Sequence, residues 1–300
     1  MKAVLFEKYG GPEVLKLSEV PDPVPGADEM LIRVHAVGVN PADGKWRSGM
    51  LDQFAPLQFP AIVGYDIAGE VIGGEDLPVG TRVAGMVDIF RSGAYAEQVV
   101  ATADRVAPIP EDMDYATAAG VPTPGLTALQ AIEESLAVQS GQRVLVTGAV
   151  GAVGRYGLRA AKLSGATVVA AVRESARNEA AALGADEVIV LDGKEFTGPE
   201  FDCILDTVGG EVVAPLCRKV KKDGRICTVA TTPIPAEGVP VAIDFYGVHP
   251  DSKQLATLLQ WVNEGSIALP IAGKLPLSQA AEAQRRVDAG GTGGKVILVP

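Results

Sequence analysis

The segment Gly148-Ala-Val-Gly-Ala-Val-Gly154 is the part of this chain whose residue types and spacing point most directly to chemistry. It follows the β-branched run Val144–Thr147 and precedes a helical pattern, so it stands where a strand turns into a helix. A turn in that context suits phosphate: glycines let backbone N–H groups approach the ligand, and the positive end of the following helix faces it. Aligned to G-x-G-x-x-G, the three positions are Ala149, Gly151 and Gly154, with alanine in place of the first glycine. Gly151 is expected to admit a pyrophosphate, with Ala149, Val150, Ala152 and Val153 lining the turn, and Gly154 to let the helix pack close to the strand. A plain strand–helix connection is the alternative, and the flanking elements favour the dinucleotide.

A second cluster lies about 20 residues further on, where an NAD site offers an acidic residue to the ribose 2′-hydroxyl. Here the strand tip reads Val172-Arg173-Glu174-Ser175-Ala176-Arg177. Arg173 and Arg177 are cationic donors suited to a 2′-phosphate, and Ser175 adds a hydroxyl. Glu174 would suit a 2′-hydroxyl instead, and a solvated helix start is the remaining alternative; the local chemistry favours NADPH.

Metal and thiol chemistry find little support. The three cysteines, Cys203, Cys217 and Cys227, form no CxxC pair, and the only histidines are His35 and His249. No metal site is expected, and Asp43 and Asp66 are read as structural hydrogen-bond acceptors.

These groups need elements to position them. From Lys2 to Val100 short strands alternate with turns: Ala3–Phe6, Leu15–Val20, Leu31–Val39, Ile67–Ile72, Arg82–Met86 and Ala94–Val100, the pattern of an antiparallel barrel-like domain. After Pro108 helical patterns alternate with buried strands, the signature of βαβ units on a parallel sheet. Its strands are placed at Val144–Thr147, Thr167–Val172, Glu187–Val190, Cys203–Asp206 and Arg225–Val229. The helices are placed at Val153–Ser164, Ala176–Leu183, Glu211–Lys219 and from a Ser252 cap to Glu264. The tail reads strand Ile271–Leu275, a helix from Ser278 to Ala289, and strand Val296–Val299. The expected class is α/β, a Rossmann doubly wound parallel-sheet cofactor domain plus a β-rich barrel-like domain, divided as 1–120, 121–265 and a returning tail 266–300.

Three hundred residues suffice for two domains with cores of their own. A formal charge of −11 argues against nucleic acid or an anionic membrane as partner, since both need clustered cations. The longest apolar stretch, 144–154, is far shorter than the roughly 18 residues of a membrane span, and Glu7 and Lys8 interrupt any leader-like run. A cytoplasmic protein is expected.

Seven segments in order resemble the zinc-independent quinone oxidoreductase group of the medium-chain dehydrogenase/reductase superfamily: MKAVLFEKYGGPEVLKL (1–17), VHAVGVNPADGKWRSG (34–49), VGYDIAGEV (63–71), GLTALQAI (125–132), VLVTGAVGAVG (144–154), LGADEVI (183–189) and ILDTVGG (204–210). The resemblance covers nearly the whole chain. It implies a GroES-like catalytic domain built from both chain ends, an inserted cofactor domain, a nicotinamide bound between them, and a homodimer. Zinc-dependent relatives place a cysteine where this chain has Asn40 and a His-Glu pair where it has Tyr65-Asp66.

From the resemblance, Asn40 and Tyr65 are expected near the nicotinamide and the acceptor carbonyl, Tyr65 as a proton source alongside solvent, with Thr127 approaching the nicotinamide. Thr207, Val208 and Ala230 lie at carboxyl ends of sheet strands, where such folds bind ligands. Phe245 and Tyr246 are expected to close over the cofactor and Lys295 to reach it from the tail, while Trp46, Met50, Phe54 and Phe90 wall the acceptor pocket. Without a Lewis acid the acceptor should already be electrophilic, a quinone or an enone. An enone or alkenal reductase, and a non-catalytic NADPH-binding redox sensor, are the competing readings.

Overall fold

The central strands of the second half form because their residues are apolar on both faces. Val144, Leu145 and Val146, and likewise Val168 to Ala171, are fully buried, as a sheet covered on two sides demands. The computed structural model describes residues Met1–Pro300 and separates them into two compact units. One comprises Pro124–His249 with Ser266–Ala268; the other comprises Met1–Thr123, Pro250–Gly265 and Leu269–Pro300.

In the first of these, six parallel strands lie in the order Glu187–Val190, Thr167–Val172, Arg143–Thr147, Phe201–Asp206, Val220–Thr228, Ile243–Phe245. This is the doubly wound order of a Rossmann sheet. The sixth strand was not foreseen, because Ile243-Asp-Phe245 is too short and polar to stand out from the loop before it. The helix Ala152–Leu163 matches the expected one, whereas the helix expected over 211–219 is a single turn, Ala214–Cys217, started by Pro215. Arg177–Ala182 follows a 3-10 turn, Glu174–Ala176.

The other unit is antiparallel in the main. One sheet runs Ile271–Pro276, Lys295–Val299, Met30–Gly38, Asp66–Gly73, Arg82–Met86, Val106–Pro108, with Gln98–Ala101 also paired to Met30–Gly38. A smaller one joins Lys16–Glu19, Lys2–Phe6 and Ala61–Ile62. The tail completes the first sheet, with Ile297 opposite Gly38 and Leu298 opposite Val37. Met30, Ile32, Val34 and Leu298 enter one apolar core with Phe6, Ile67 and Tyr95.

Three features depart from the sequence-based placement. The helix Ser252–Asn263 packs against Val106–Pro108, in the unit holding the chain ends, whereas a boundary at residue 265 would put it with the Rossmann sheet. Leu255, Leu258 and Leu259 form its buried stripe, and its cap is Asp251, which accepts from Lys253 N and Gln254 N at 2.9 Å each, one residue before the expected Ser252. The helix Ala280–Ala289 starts after a 3-10 turn, Leu277–Gln279, and not at Ser278. The helices Pro41–Arg47 and Tyr115–Ala119 are only one to two turns long, too short to show a period in the sequence. No helix is long and apolar enough to cross a membrane.

Candidate active site

The short helix Pro41–Arg47 organises the polar interior of the unit that holds the chain ends. Asn40 precedes it, Pro41 supplies a φ suited to a first helical residue, and Asp43 in the first turn accepts from Asn40 N at 2.9 Å. Asp43, Trp46 and Arg47 stand three and four residues apart and are buried on one face. Around them lies a continuous network. Asn40 Nδ2 donates to Asp66 Oδ2 at 2.8 Å and to Gly38 O at 3.3 Å, while Asn40 Oδ1 accepts from Lys295 Nζ at 2.7 Å. Lys295 Nζ also donates to Val39 O at 3.1 Å and lies 3.7 Å from Asp66 Oδ2. Asp66 Oδ1 accepts from Thr123 N at 2.9 Å and from its hydroxyl. Asp43 Oδ2 accepts from Tyr95 OH at 2.9 Å, Gln284 Nε2 donates to that hydroxyl at 3.3 Å, and Arg47 links Gln284 to Asp288.

Two of the expected site residues are engaged inside the protein. Lys295 is 5% exposed, and its ammonium is spent on Asn40, Asp66 and Val39. Asn40 has no donor left for a substrate, since both amide ends are engaged inside the protein. Burial disfavours the charged forms of Asp43, Asp66 and Lys295. It raises the Asp66 carboxyl against the pull of Lys295 and lowers the Lys295 ammonium against the pull of Asp66. Asp43, whose Oδ1 has no hydrogen-bond partner, is pushed up by burial to about 7.

Tyr65 stands differently. Its carbonyl accepts from Val87 N at 2.7 Å, which fixes the backbone, and its half-buried hydroxyl oxygen accepts from Trp46 Nε1. No acceptor within the chain takes the Tyr65 proton. Burial raises the phenol far above its ordinary range, so it is neutral throughout physiological pH. Trp46 meets Phe90 edge-on, with ring centres 5.5 Å apart. Trp46, Tyr65 and Phe90 are therefore brought together, while Met50 and Phe54, 57% and 68% exposed, stand on the turns after the helix.

In the Rossmann unit the glycine turn is built one residue earlier than the motif suggests. Gly148, with φ of 61°, takes the left-handed conformation, and its carbonyl accepts from Gly151 N at 2.8 Å. Ala149 needs no positive φ, which explains why alanine is tolerated there. A Cβ on Gly154 would lie 2.3 Å from Gly148 O, so this glycine is what lets the helix seat against the turn. Gly151 precedes Ala152 without any side-chain cap, leaving the first-turn N–H groups of a 12-residue helix available to a diphosphate. Arg155, missed from sequence, braces the turn by donating to Val150 O at 2.8 Å and pairing with Glu179.

The two arginines at the second strand tip are not equivalent. Arg177 is engaged by Glu174 and by Val188 O at 3.3 Å, whereas exposed Arg173 has no partner within the chain; Ser175 is exposed beside it. At the strand ends, buried Asp206 accepts from Thr147 Oγ1 at 2.6 Å, Thr228 Oγ1 at 2.7 Å, Val208 N at 3.1 Å and Gly209 N at 3.0 Å. Thr207 Oγ1 donates to Thr147 O at 2.8 Å, and Ala230 N donates to Thr228 Oγ1 at 3.1 Å. Asp206 thus fixes the loops carrying Thr207, Val208 and Ala230. The signal for it was a polar residue closing each of three apolar strands. Tyr246 OH donates to Glu134 Oε2 at 2.6 Å, so it fastens its loop to the helix end, and Phe245 beside it is exposed. Thr127 is buried on the helix Pro122–Gln130.

The three thiols are buried and raised, Cys203 and Cys227 to about 11 and Cys217 to about 12, chiefly by desolvation. His35 stacks on Tyr115 and His249 Nε2 lies 3.1 Å from Glu134, and no three His, Cys, Asp or Glu side chains converge on one point.

A parallel-sheet unit with a dinucleotide turn and an antiparallel unit completed by both chain ends together define a nicotinamide-dependent oxidoreductase. Comparison agrees: residues 26–111 match the alcohol dehydrogenase GroES-like domain and residues 183–298 the zinc-binding dehydrogenase family. The quinone oxidoreductase of Sus scrofa is 33% identical across all of this chain and 98% of its own length. Among solved structures, the quinone oxidoreductase from Coxiella burnetii superposes with a TM-score of 0.87 at 29% identity, covering 100% of this chain and 99% of that one. Mycobacterial Rv1454c complexed with NADPH gives 0.83 at 26% identity, covering all of both chains. The chain belongs to the quinone oxidoreductase group of the medium-chain dehydrogenase/reductase superfamily.

The buried network makes a prediction about stability. The folded Asp43 carboxyl keeps its proton up to about pH 7, while an unfolded one releases it near 4, so the folded state holds an extra proton in between. Stability from this group is fully present below the unfolded value and is lost as pH rises through the folded one. Urea midpoints should fall from pH 5 to pH 8 more steeply in the wild type than in Asp43→Asn, and parallel curves would contradict the assignment.

Proposed function

We propose that this protein uses NADPH to reduce a quinone or a similar electrophilic carbonyl acceptor, and that it does so without zinc. The observation that carries the reading is the Tyr65 hydroxyl. It is neutral, half-buried, flanked by Trp46 and Phe90, and its proton has no acceptor within the chain. A group of that kind is suited to donating to an oxygen on which negative charge develops.

When bound, the nicotinamide supplies a hydride. The chain's own residues would do the rest. The Gly148–Gly154 turn and the helix after it hold the diphosphate, and Arg173 answers a 2′-phosphate with a charge-assisted bond. Asp206 keeps the strand-end loops in place around the cofactor. Tyr65 donates to the acceptor oxygen, and Trp46 and Phe90 offer apolar walls to a flat ring. The zinc-free reading rests on donor chemistry: an amide at Asn40 and a phenol at Tyr65 are poor replacements for thiolate and imidazole, and the Asn40 amide is bound to Lys295 and Asp66. An acceptor that is electrophilic already needs no Lewis acid.

Cofactor choice is tested at Arg173. Arg173→Ala should raise the NADPH dissociation constant about tenfold or more, the scale of one charge-assisted bond, and leave that for NADH nearly unchanged. Fluorescence titration measures both, and equal weakening of the two cofactors would contradict the role.

The acceptor chemistry is tested at Tyr65. Tyr65→Phe should lower kcat with a simple benzoquinone by roughly 10- to 1,000-fold while NADPH affinity holds. Wild-type turnover in the variant would remove Tyr65 from the reaction.

A further inference from the structure

The Trp46–Tyr65 contact has a direction. An indole N–H can only donate, so the Tyr65 oxygen is the acceptor of that bond and its own proton cannot point toward Trp46. With no other acceptor in the chain, the proton is left for whatever lies on the opposite side of the oxygen.

The indole is itself held. It is buried within the core of its unit, meets Phe90 edge-on at 87°, and sits on a helix whose two ends are locked. Asp43, three residues before, is bound by Asn40 N and Tyr95 OH. Arg47, one residue after, donates to Gly10 O at 3.1 Å and to Gln284. The orientation of the buried network is thereby passed through one short helix to one phenol.

From this geometry we infer that Trp46 is the positioning residue of the reaction: its N–H aims the Tyr65 O–H and selects for acceptors that present a bare carbonyl oxygen to it. The inference rests on the reading of Tyr65 as hydrogen-bond donor to the acceptor. Without the indole N–H, the hydroxyl rotates among several orientations, and only a fraction of encounters meet a donor. The loss belongs to kcat and not to cofactor binding.

A double-mutant cycle tests it with Trp46→Phe, Tyr65→Phe and the pair, using NADPH and a simple benzoquinone. Trp46→Phe should lower kcat roughly 3- to 10-fold, the scale of one neutral hydrogen bond, with the KM for NADPH unchanged. The double variant should be no slower than Tyr65→Phe alone, since Phe keeps an aromatic wall at position 46 and the N–H it removes acts only through that hydroxyl. If the two effects multiply, or if Trp46→Phe turns over like the wild type, Trp46 is merely a wall and the inference fails. If Tyr65→Phe itself is fully active, the donor reading fails first and takes this inference with it. A second measurement does not depend on how Trp46→Phe folds. The chain has two tryptophans, so two indole N–H resonances are expected in a nitrogen-15 correlation spectrum. Tyr65→Phe should move the Trp46 resonance upfield and leave that of Trp261 in place; an unmoved Trp46 signal would overturn the contact.

Discussion

The ion pair of Lys295 with Asp66, buried with Asn40 between them, is the constraint on which the unit holding the chain ends depends. Removing two charges from water is costly, and the cost is offset only when the remaining donors and acceptors are satisfied. Here they are: Asp66 takes Thr123 and Asn40 on its two oxygens, and the ammonium takes Val39 O and Asn40 Oδ1. The partners come from the helix cap at 40, the start of a strand at 66, the helix entry at 123 and the last strand at 295. Chain segments far apart in sequence must therefore be assembled together, or a charge is left buried and unpaired. That requirement explains why the tail has to return to the sheet of Met30–Gly38.

The same constraint shapes what the site can offer. With Asn40 locked by Lys295 and Asp66, the Tyr65 phenol keeps a proton that no group of the chain accepts. In the Rossmann unit the logic is similar: Asp206 saturates the strand ends, and the donors left over are backbone N–H groups at the helix start and the Arg173 guanidinium.

Much of the fold was legible in the sequence because periodicity and glycine placement report burial directly. Thr167–Val172 and Glu187–Val190 were placed to the residue, since an apolar run bounded by turns reads as a buried strand. Strand Ile243–Phe245 and helix Pro41–Arg47 were not, because elements of so few residues carry no period. The glycine turn was visible, yet the residue that turns it, Gly148, was overshadowed by the motif register. Lys295 shows a different limit. The resemblance directs Lys295 to the cofactor, and only the carboxylate brought to it by tertiary structure explains its burial. Tyr95 and Gln284, which complete the network, gave no local signal either.

The reaction we propose is NADPH-dependent reduction of a quinone by protein groups alone. Its most direct measurement is the rate of NADPH oxidation with a benzoquinone by protein dialysed against a strong chelator, with metal content determined on the same sample. No stoichiometric zinc and an undiminished rate are expected. One zinc per chain before dialysis, with activity lost on its removal and restored on its return, would contradict it.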